Sequence, residues 1–318
     1  MTENMYTVAE RNGECLTLIA LPLPVRGFHE FLCSWLLQDK DETVLIDCGV
    51  GGSYPHLKAC LDFLGAVPDL LLFTHIHLDH SGGAGLLVRD FPDIKIFCFE
   101  RSAKHLISPQ KLWEATSATL GKELADAYEP PLPVPAQNLI PRTELHHSWK
   151  VLDTPGHAPH HVSFIRDFAG HKICFGGEAL GVFPGTEAAS WFKDRDVSDG
   201  LRPATPPRYI PDIGRQSMKK IDAEEWDLFC GGHYGSSTDR TLPARALKQS
   251  FLWEKTISEA LNDGMTEDEI VRLMLTADPE LQDINFYTEE DRDREVYFLH
   301  NSVRGFMQFL TLNENLRL

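Results

Sequence analysis

The sequence predicts an α/β protein in which strands and helices alternate through the first half and helices alone follow residue 240. Three observations carry that reading. Apolar runs of strand length lie between polar turns as far as Phe175. Segments whose apolar residues step by three and four separate those runs. Beyond His233 only the helical spacing remains, and cap residues punctuate it.

In chain order, Phe31 to Leu37 and Thr43 to Asp47 read as two strands joined by the polar turn Gln38-Asp39-Lys40-Asp41-Glu42. Tyr54 to Leu64 has helical spacing through Leu57, Leu61 and Leu64. Leu70-Leu71-Leu72-Phe73 reads as a buried strand and Ile94 to Phe99 as a further short one. Residues 101–128 read as helical, with Leu106, Leu112, Trp113, Leu120 and Leu124 as candidate buried positions. Pro130-Pro131-Leu132-Pro133-Val134-Pro135 cannot lie inside a helix. We read 101–141 as an insertion packed over the edge of a site. Val162 to Ile165 and Lys172 to Phe175 form a strand pair around Asp167-Phe168-Ala169-Gly170. Residues 182–215 are rich in Pro and Gly and lack periodicity, and loops that long are usually functional or mobile. Within them Arg202 and Tyr209 are candidates for a pocket wall.

The last part, 241–318, reads as a helical extension of the domain formed by 1–240. Pro243 to Asn262 carries Leu247, Phe251, Ile257 and Leu261, and Gly264 fits its C-terminal cap. Thr266-Glu267-Asp268-Glu269 is a capping box for a helix that stops near Asp278-Pro279. Thr288 starts the last helix, whose Val296, Leu299, Val303, Phe306 and Leu310 form one stripe. That stripe is expected to pack on the main domain, with a homodimer contact as the alternative.

Composition excludes some partners. Lys and Arg total 30 against 47 Asp and Glu, a formal charge of −17, and no basic patch stands out. A nucleic acid or an anionic membrane surface is disfavoured, and a small-molecule substrate is favoured. The seven cysteines include no Cys-x-x-Cys pair and sit mostly in apolar runs, as reduced core residues do. The start Met-Thr-Glu-Asn-Met-Tyr has no signal-like pattern, and no apolar stretch approaches the ~18–20 residues that span a bilayer, so a cytoplasmic location is the expectation.

The densest chemistry lies at 74–85, Thr-His-Ile-His-Leu-Asp-His-Ser-Gly-Gly-Ala-Gly. His75, His77, Asp79 and His80 fall within six positions, between an apolar strand and a Gly-rich turn. A strand ending in imidazoles and a carboxylate fixes borderline-soft metals at a sheet edge. If the segment is extended, 75, 77 and 79 point one way and His80 the other, so the cluster can serve two metals.

This segment resembles the His-x-His-x-Asp-His signature of the metallo-β-lactamase superfamily. Further likenesses follow in order. Val44-Leu45-Ile46-Asp47-Cys48-Gly49 resembles the early strand that ends in Asp-x-Gly. Asp153-Thr154-Pro155-Gly156-His157-Ala158-Pro159-His160-His161-Val162-Ser163 resembles the Thr-Pro-Gly-His segment of glyoxalase II and lactonase members. Gly176-Gly177-Glu178-Ala179-Leu180 stands in the place of Gly-Asp-x-Leu, and Gly231-Gly232-His233-Tyr234-Gly235 resembles the final Gly-His motif.

The resemblance implies a four-layer α/β/β/α sandwich. It implies that His75, His77 and His157 hold a first metal and that Asp79, His80 and His233 hold a second. Glu178 stands where the family has a bridging aspartate, and Asp79 is the expected catalytic residue. Asp47 is expected to orient an imidazole from behind. His161 is expected to be structural, and His160 replaces a glycine of the family pattern. The other histidines, 29, 56, 105, 146, 147, 171 and 300, have no motif support.

The nitrogen and oxygen donor set suits two divalent ions, zinc first, with iron or manganese as alternatives. The expected activity is attack of a metal-bound hydroxide on an ester, thioester or lactone carbonyl. The rivals are an iron-dependent oxidoreductase of the persulfide dioxygenase kind and a non-catalytic ligand-binding protein on the same scaffold.

Overall fold

The structure is a computed structural model that describes residues 4–185 and 200–315. Its first sheet has six strands in chain order: β1 (Met5–Arg11), β2 (Glu14–Leu21), β3 (Leu32–Gln38), β4 (Thr43–Ile46), β5 (Leu70–Leu72) and β6 (Lys95–Phe97). Pairing is antiparallel from β1 to β4 and parallel from β4 to β6. The connections explain the change. A short polar turn reverses the chain between β3 and β4, whereas helix α1 (Tyr54–Leu64) carries it across between β4 and β5. Short helices α2 (Leu78–Ser81) and α3 (Ala84–Asp90) then lead to β6.

The second sheet contains β7 (Lys150–Asp153), β8 (Val162–Phe168), β9 (His171–Gly177), β10 (Leu228–Gly231) and β11 (Ser236–Ser237), in the order β11-β10-β9-β8-β7. The β8–β9 hairpin turns at Ala169 and Gly170 with φ of 51° and 81°, the left-handed pair that a two-residue hairpin turn demands.

Side-chain alternation builds the layers. Trp35, Val44, Ile46 and Leu72 face Phe164, Ile173 and Phe175 across the gap between the sheets. The intervening Leu36, Leu45 and Leu71 face outward under Leu57 and Leu61 of α1 and Leu87 of α3. Beneath the second sheet, Cys174 and Phe229 pack on helices α7 (Pro211–Asp222) and α8 (Leu242–Asn262). The result is the four-layer α/β/β/α arrangement.

The 101–128 region divides into α4 (Ala103–Ile107), α5 (Gln110–Leu120) and α6 (Lys122–Tyr128). Leu106 and Leu124 are buried; Leu112, Trp113 and Leu120 are half-buried against the first sheet's outer core. After α8 come α9 (Glu267–Ala277), a 3-10 segment (Pro279–Phe286) and α10 (Glu289–Asn315). The Thr266–Glu269 capping box is present in both directions, and Gly264 adopts φ 74° beyond the end of α8. Leu299, Val303 and Phe306 of α10 pack within the chain against Trp253, Ile257, Ile270 and Met274.

Two sequence expectations change. Phe251 of α8 is 53% exposed, because the buried face of that helix runs instead through Ala246, Gln249, Trp253, Ile257 and Ala260. The 182–215 segment is not loop throughout: Val182 bridges Arg202, and α7 opens with Pro211 in its first turn. Positions 186–199 of that segment lie outside the described residues. All seven cysteines are free, and all but Cys15 are buried. No described helix is long and apolar enough to cross a membrane.

Candidate metal centre

The functional side chains collect where the carboxyl ends of β4, β5, β9 and β10 meet. Backbone bonds sew these ends together: Asp47 N to Leu72 O at 2.9 Å, Val162 N to Thr74 O at 2.8 Å, and Gly232 N to Gly177 O at 3.2 Å. The first and last of these link neighbouring strand ends, and the middle one joins the two sheets. Asp47 sits at φ 58°, a left-handed conformation that aspartate tolerates better than most residues.

Two groups of donors converge. Nε2 of His75 lies 3.0 Å from Nδ1 of His77, which lies 2.9 Å from Nε2 of His157. Beside them, Nε2 of His80 lies 3.6 Å and Nε2 of His233 3.7 Å from Oδ2 of Asp79. Glu178 is buried between the groups but favours the second. Its Oε1 is 2.8 Å from His80 Nε2 and 3.0 Å from His233 Nε2. Its Oε2 turns toward Nδ1 of His75 at 3.5 Å and Nε2 of His161 at 3.7 Å.

The ring orientations are set from behind. Nδ1 of His80 donates to Asp47 Oδ2 at 2.9 Å, Nδ1 of His157 to the Ala204 carbonyl at 2.9 Å, and Nδ1 of His233 to the Phe31 carbonyl at 3.2 Å. Each of these bonds leaves the Nε2 lone pair pointing into the cluster. Asp47 is itself fixed by the amide and hydroxyl of Thr74, at 2.9 Å and 2.7 Å. It therefore stands behind His80 and makes no approach to the converging atoms.

These donors fit a metal. His77 Nδ1 lies within about 3 Å of both His75 Nε2 and His157 Nε2, and a shared cation would take up the lone pairs of all three. His80 Nε2 and both oxygens of Glu178 are buried without a hydrogen-bond partner, although carboxylate and ring are within contact distance. The space is also kept open: a Cβ on Gly232 would lie 2.2 Å from Glu178 Oε1.

Electrostatics agree. Burial pushes His75 and His77 well below the usual histidine range and His157 to about 4, so these rings are neutral and their lone pairs free. At His80 burial works the same way, but Glu178, Asp79 and Asp47 outweigh it and hold the ring well above that range. Burial raises the Glu178 carboxyl, and His80 and His75 hold it well below the ordinary carboxylate range. A metal ion at His80 Nε2 would take the place of a proton there.

His77, Asp79, His157, Glu178 and His233 open into a cavity of about 800 Å3 with chiefly apolar walls. Ala115, Thr119 and Leu120 of α5 form one wall and Phe298 and Asn301 of α10 another. Of the two wall residues proposed from sequence, Arg202 lines the cavity, but its guanidinium is committed to Glu295 at 2.5 Å. Tyr209 does not line it: the ring is buried against Phe306 and Gly214, behind Gly156. The Pro206-Pro207 turn directs it inward to the helical core. His161 holds the frame, with Nδ1 2.9 Å from Thr154 Oγ1 and Nε2 accepting the Glu178 amide at 3.3 Å. His160 is half-buried near His75, its ring pushed to about 4 by burial.

Sequence reading missed Phe31, Thr74, Phe298 and the pair Arg294–Glu295. Thr74 stood in the signature segment without a role. Glu295 carried a signal, since it lies four residues before Leu299 on the buried stripe of α10.

The sequence profile of the metallo-beta-lactamase superfamily matches residues 33–233, and the chain belongs to that superfamily, whose members are generally hydrolases that bind divalent metals. A probable metallo-hydrolase of Bacillus subtilis is 27% identical over 171 residues, covering 54% of this chain and 68% of its own. A hydroxyacylglutathione hydrolase of an Enterobacter species is 28% identical over 174 residues; the match spans 54% of this chain and only 56% of that enzyme. The crystal structure of a metallo-beta-lactamase family protein from Thermus thermophilus superposes with a TM-score of 0.58 at 19% identity, covering 94% of each chain, and shows the shared fold.

Proposed function

We propose that this superfamily hydrolase cleaves a carboxylic ester, thioester or lactone with an apolar acyl part. One observation supports the reading above others: two groups of convergent donors lie side by side at a large apolar cavity, which His77, Asp79, His157, Glu178 and His233 line. The first site is His75, His77 and His157; the second is Asp79, His80 and His233 with Glu178. Divalent metals bound there supply an activated water and a positive charge for the acyl oxygen.

The protein's own residues do the rest. Asp47, Ala204 and Phe31 fix the rings so that nothing reorganises during reaction. The Asp79 side chain is 22% exposed where that of Glu178 is 1%, so Asp79 is the carboxylate placed to accept a proton from the attacking water. The cavity walls take up the acyl body and exclude bulk water, and a volume of this order suits a drug-sized molecule.

The test uses metal-depleted and zinc-reloaded protein with an octanoyl ester, an octanoyl thioester, a medium-chain lactone, a phosphodiester and a persulfide. Hydrolysis of at least one acyl substrate, restored by zinc, is the expected result. Oxygen uptake with the persulfide, or no acyl turnover by reloaded protein, overturns the proposal.

A further inference from the structure

We infer that the C-terminal helix α10 is part of the second metal site: it holds His233 in place through Tyr234 and Phe31, so that metal binding and docking of the helix reinforce one another. The inference rests on the metal reading above, and the observations that carry it lie outside the donor groups.

His233, Tyr234 and Gly235 form a three-residue turn closed by the Gly235 amide on the His233 carbonyl at 2.8 Å. Tyr234, at its tip, has φ 63°. A large aromatic side chain in the left-handed region persists only where its surroundings hold it there. What holds Tyr234 comes from α10. Its hydroxyl donates to Glu295 Oε1 at 2.6 Å and accepts from Arg294. Glu295 also receives Arg202 at 2.5 Å, and Arg294 reaches back to the carbonyl of Gly27. Burial raises the Glu295 carboxyl, but Arg202 and Arg294 bring it down to about 2, so the network is charged at neutral pH.

A second path reaches the imidazole itself. The Phe31 ring stacks on His233 with centroids 4.0 Å apart and planes 11° from parallel, while the Phe31 carbonyl accepts from His233 Nδ1. Phe298 of α10 stacks on Phe31 at 5.1 Å, and the Arg294 guanidinium lies 4.8 Å from the same ring. Both the backbone that presents His233 and the ring that sets its plane are thus braced by one turn of α10.

Coupling of this kind is reciprocal. A helix that pins His233 raises affinity at the second site, and a metal that fixes His233 steadies the helix. A purely structural ion network has no such dependence on the metal.

Two measurements on the full chain test this. The first is zinc retention against graded chelator in the wild type, Tyr234→Phe and Glu295→Gln. Tyr234→Phe removes one hydroxyl and leaves the buried charges paired, so it stays informative if Glu295→Gln fails to fold. The expected result is roughly tenfold weaker retention of one zinc per chain, with the other unchanged. The second is amide hydrogen exchange of residues 289–312 with and without zinc. Zinc is expected to slow exchange there in the wild type and to have a much smaller effect in Tyr234→Phe. Equal loss of both zincs, unchanged retention in Tyr234→Phe, or helix exchange indifferent to zinc overturns the inference while leaving the metal centre standing. A wild-type chain that takes up no zinc, iron or manganese overturns both.

Discussion

The backbone amide of Glu178 donates to Nε2 of His161 at 3.3 Å, and that bond decides where the Glu178 carboxylate goes. With its main chain pinned at the end of β9, the side chain extends to place Oε1 between His80 and His233. The extra methylene relative to aspartate thus carries the carboxylate toward the second donor group, and the first remains all imidazole.

Glu178→Gln should keep the fold and lower metal affinity at the second group by at least tenfold, because a neutral amide binds a cation poorly. Glu178→Asp should be tolerated, drawing the carboxylate back toward both groups. Metal analysis of the two variants checks this; equal metal content in wild type and the Gln variant would remove Glu178 from the ligand set.

Gly232→Ala should be nearly as damaging as loss of a ligand. The new methyl would fall 2.2 Å from Glu178 Oε1 and 3.0 Å from His80 Cε1, so one of the two must leave. Calorimetric zinc titration should show the second site lost and the His75–His77–His157 site kept.

Asp47→Asn tests the support behind the donors. The amide can present oxygen or nitrogen to His80 Nδ1, but it no longer anchors the ring and Thr74 with full charge. Outer partners of metal-bound histidines are typically worth 10–100-fold in affinity, and a drop in that range is expected here. An affinity within twofold of wild type would show that His80 is held by packing alone.

Acid sensitivity should trace in part to Glu295. Its carboxyl falls from 4.5 to about 2 on folding, so its contribution is complete above the unfolded value and disappears as pH falls through the folded one. Melting temperatures of wild type and Glu295→Gln should converge as pH drops from about 5 to about 2 and differ most near neutrality. A constant gap across that window would mean that the charge on Glu295 does not matter.

Much of this was legible in the sequence, for physical reasons. Strands such as Leu32–Gln38 and Leu70–Leu72 announce themselves because burial on both faces demands apolar side chains at successive positions. The donor set was visible because its residues cluster at strand ends, where backbone pairing stops and side chains turn into the cleft. Helix α7 was hidden: it follows a Pro-rich stretch, and its inward face is made partly of Gly214, Arg215 and Ser217. The brace on His233 was hidden as well, since Phe31 and Glu295 are more than 260 residues apart in the chain and meet only through the fold. Tyr209 misled because polarity and a loop setting suggest a pocket wall, whereas its ring belongs to the helical core.

The central claim is that the convergent donors bind metal and that the metal carries the activity. His77→Ala tests it most directly, because Nδ1 of His77 lies between His75 and His157 and a methyl group offers no lone pair in its place. Metal content per chain and acyl-substrate turnover should be measured on the same samples. The account predicts about two metals in the wild type, one or fewer in the variant, and turnover lowered by at least a thousandfold. A folded His77→Ala protein with wild-type metal content and rate would contradict it.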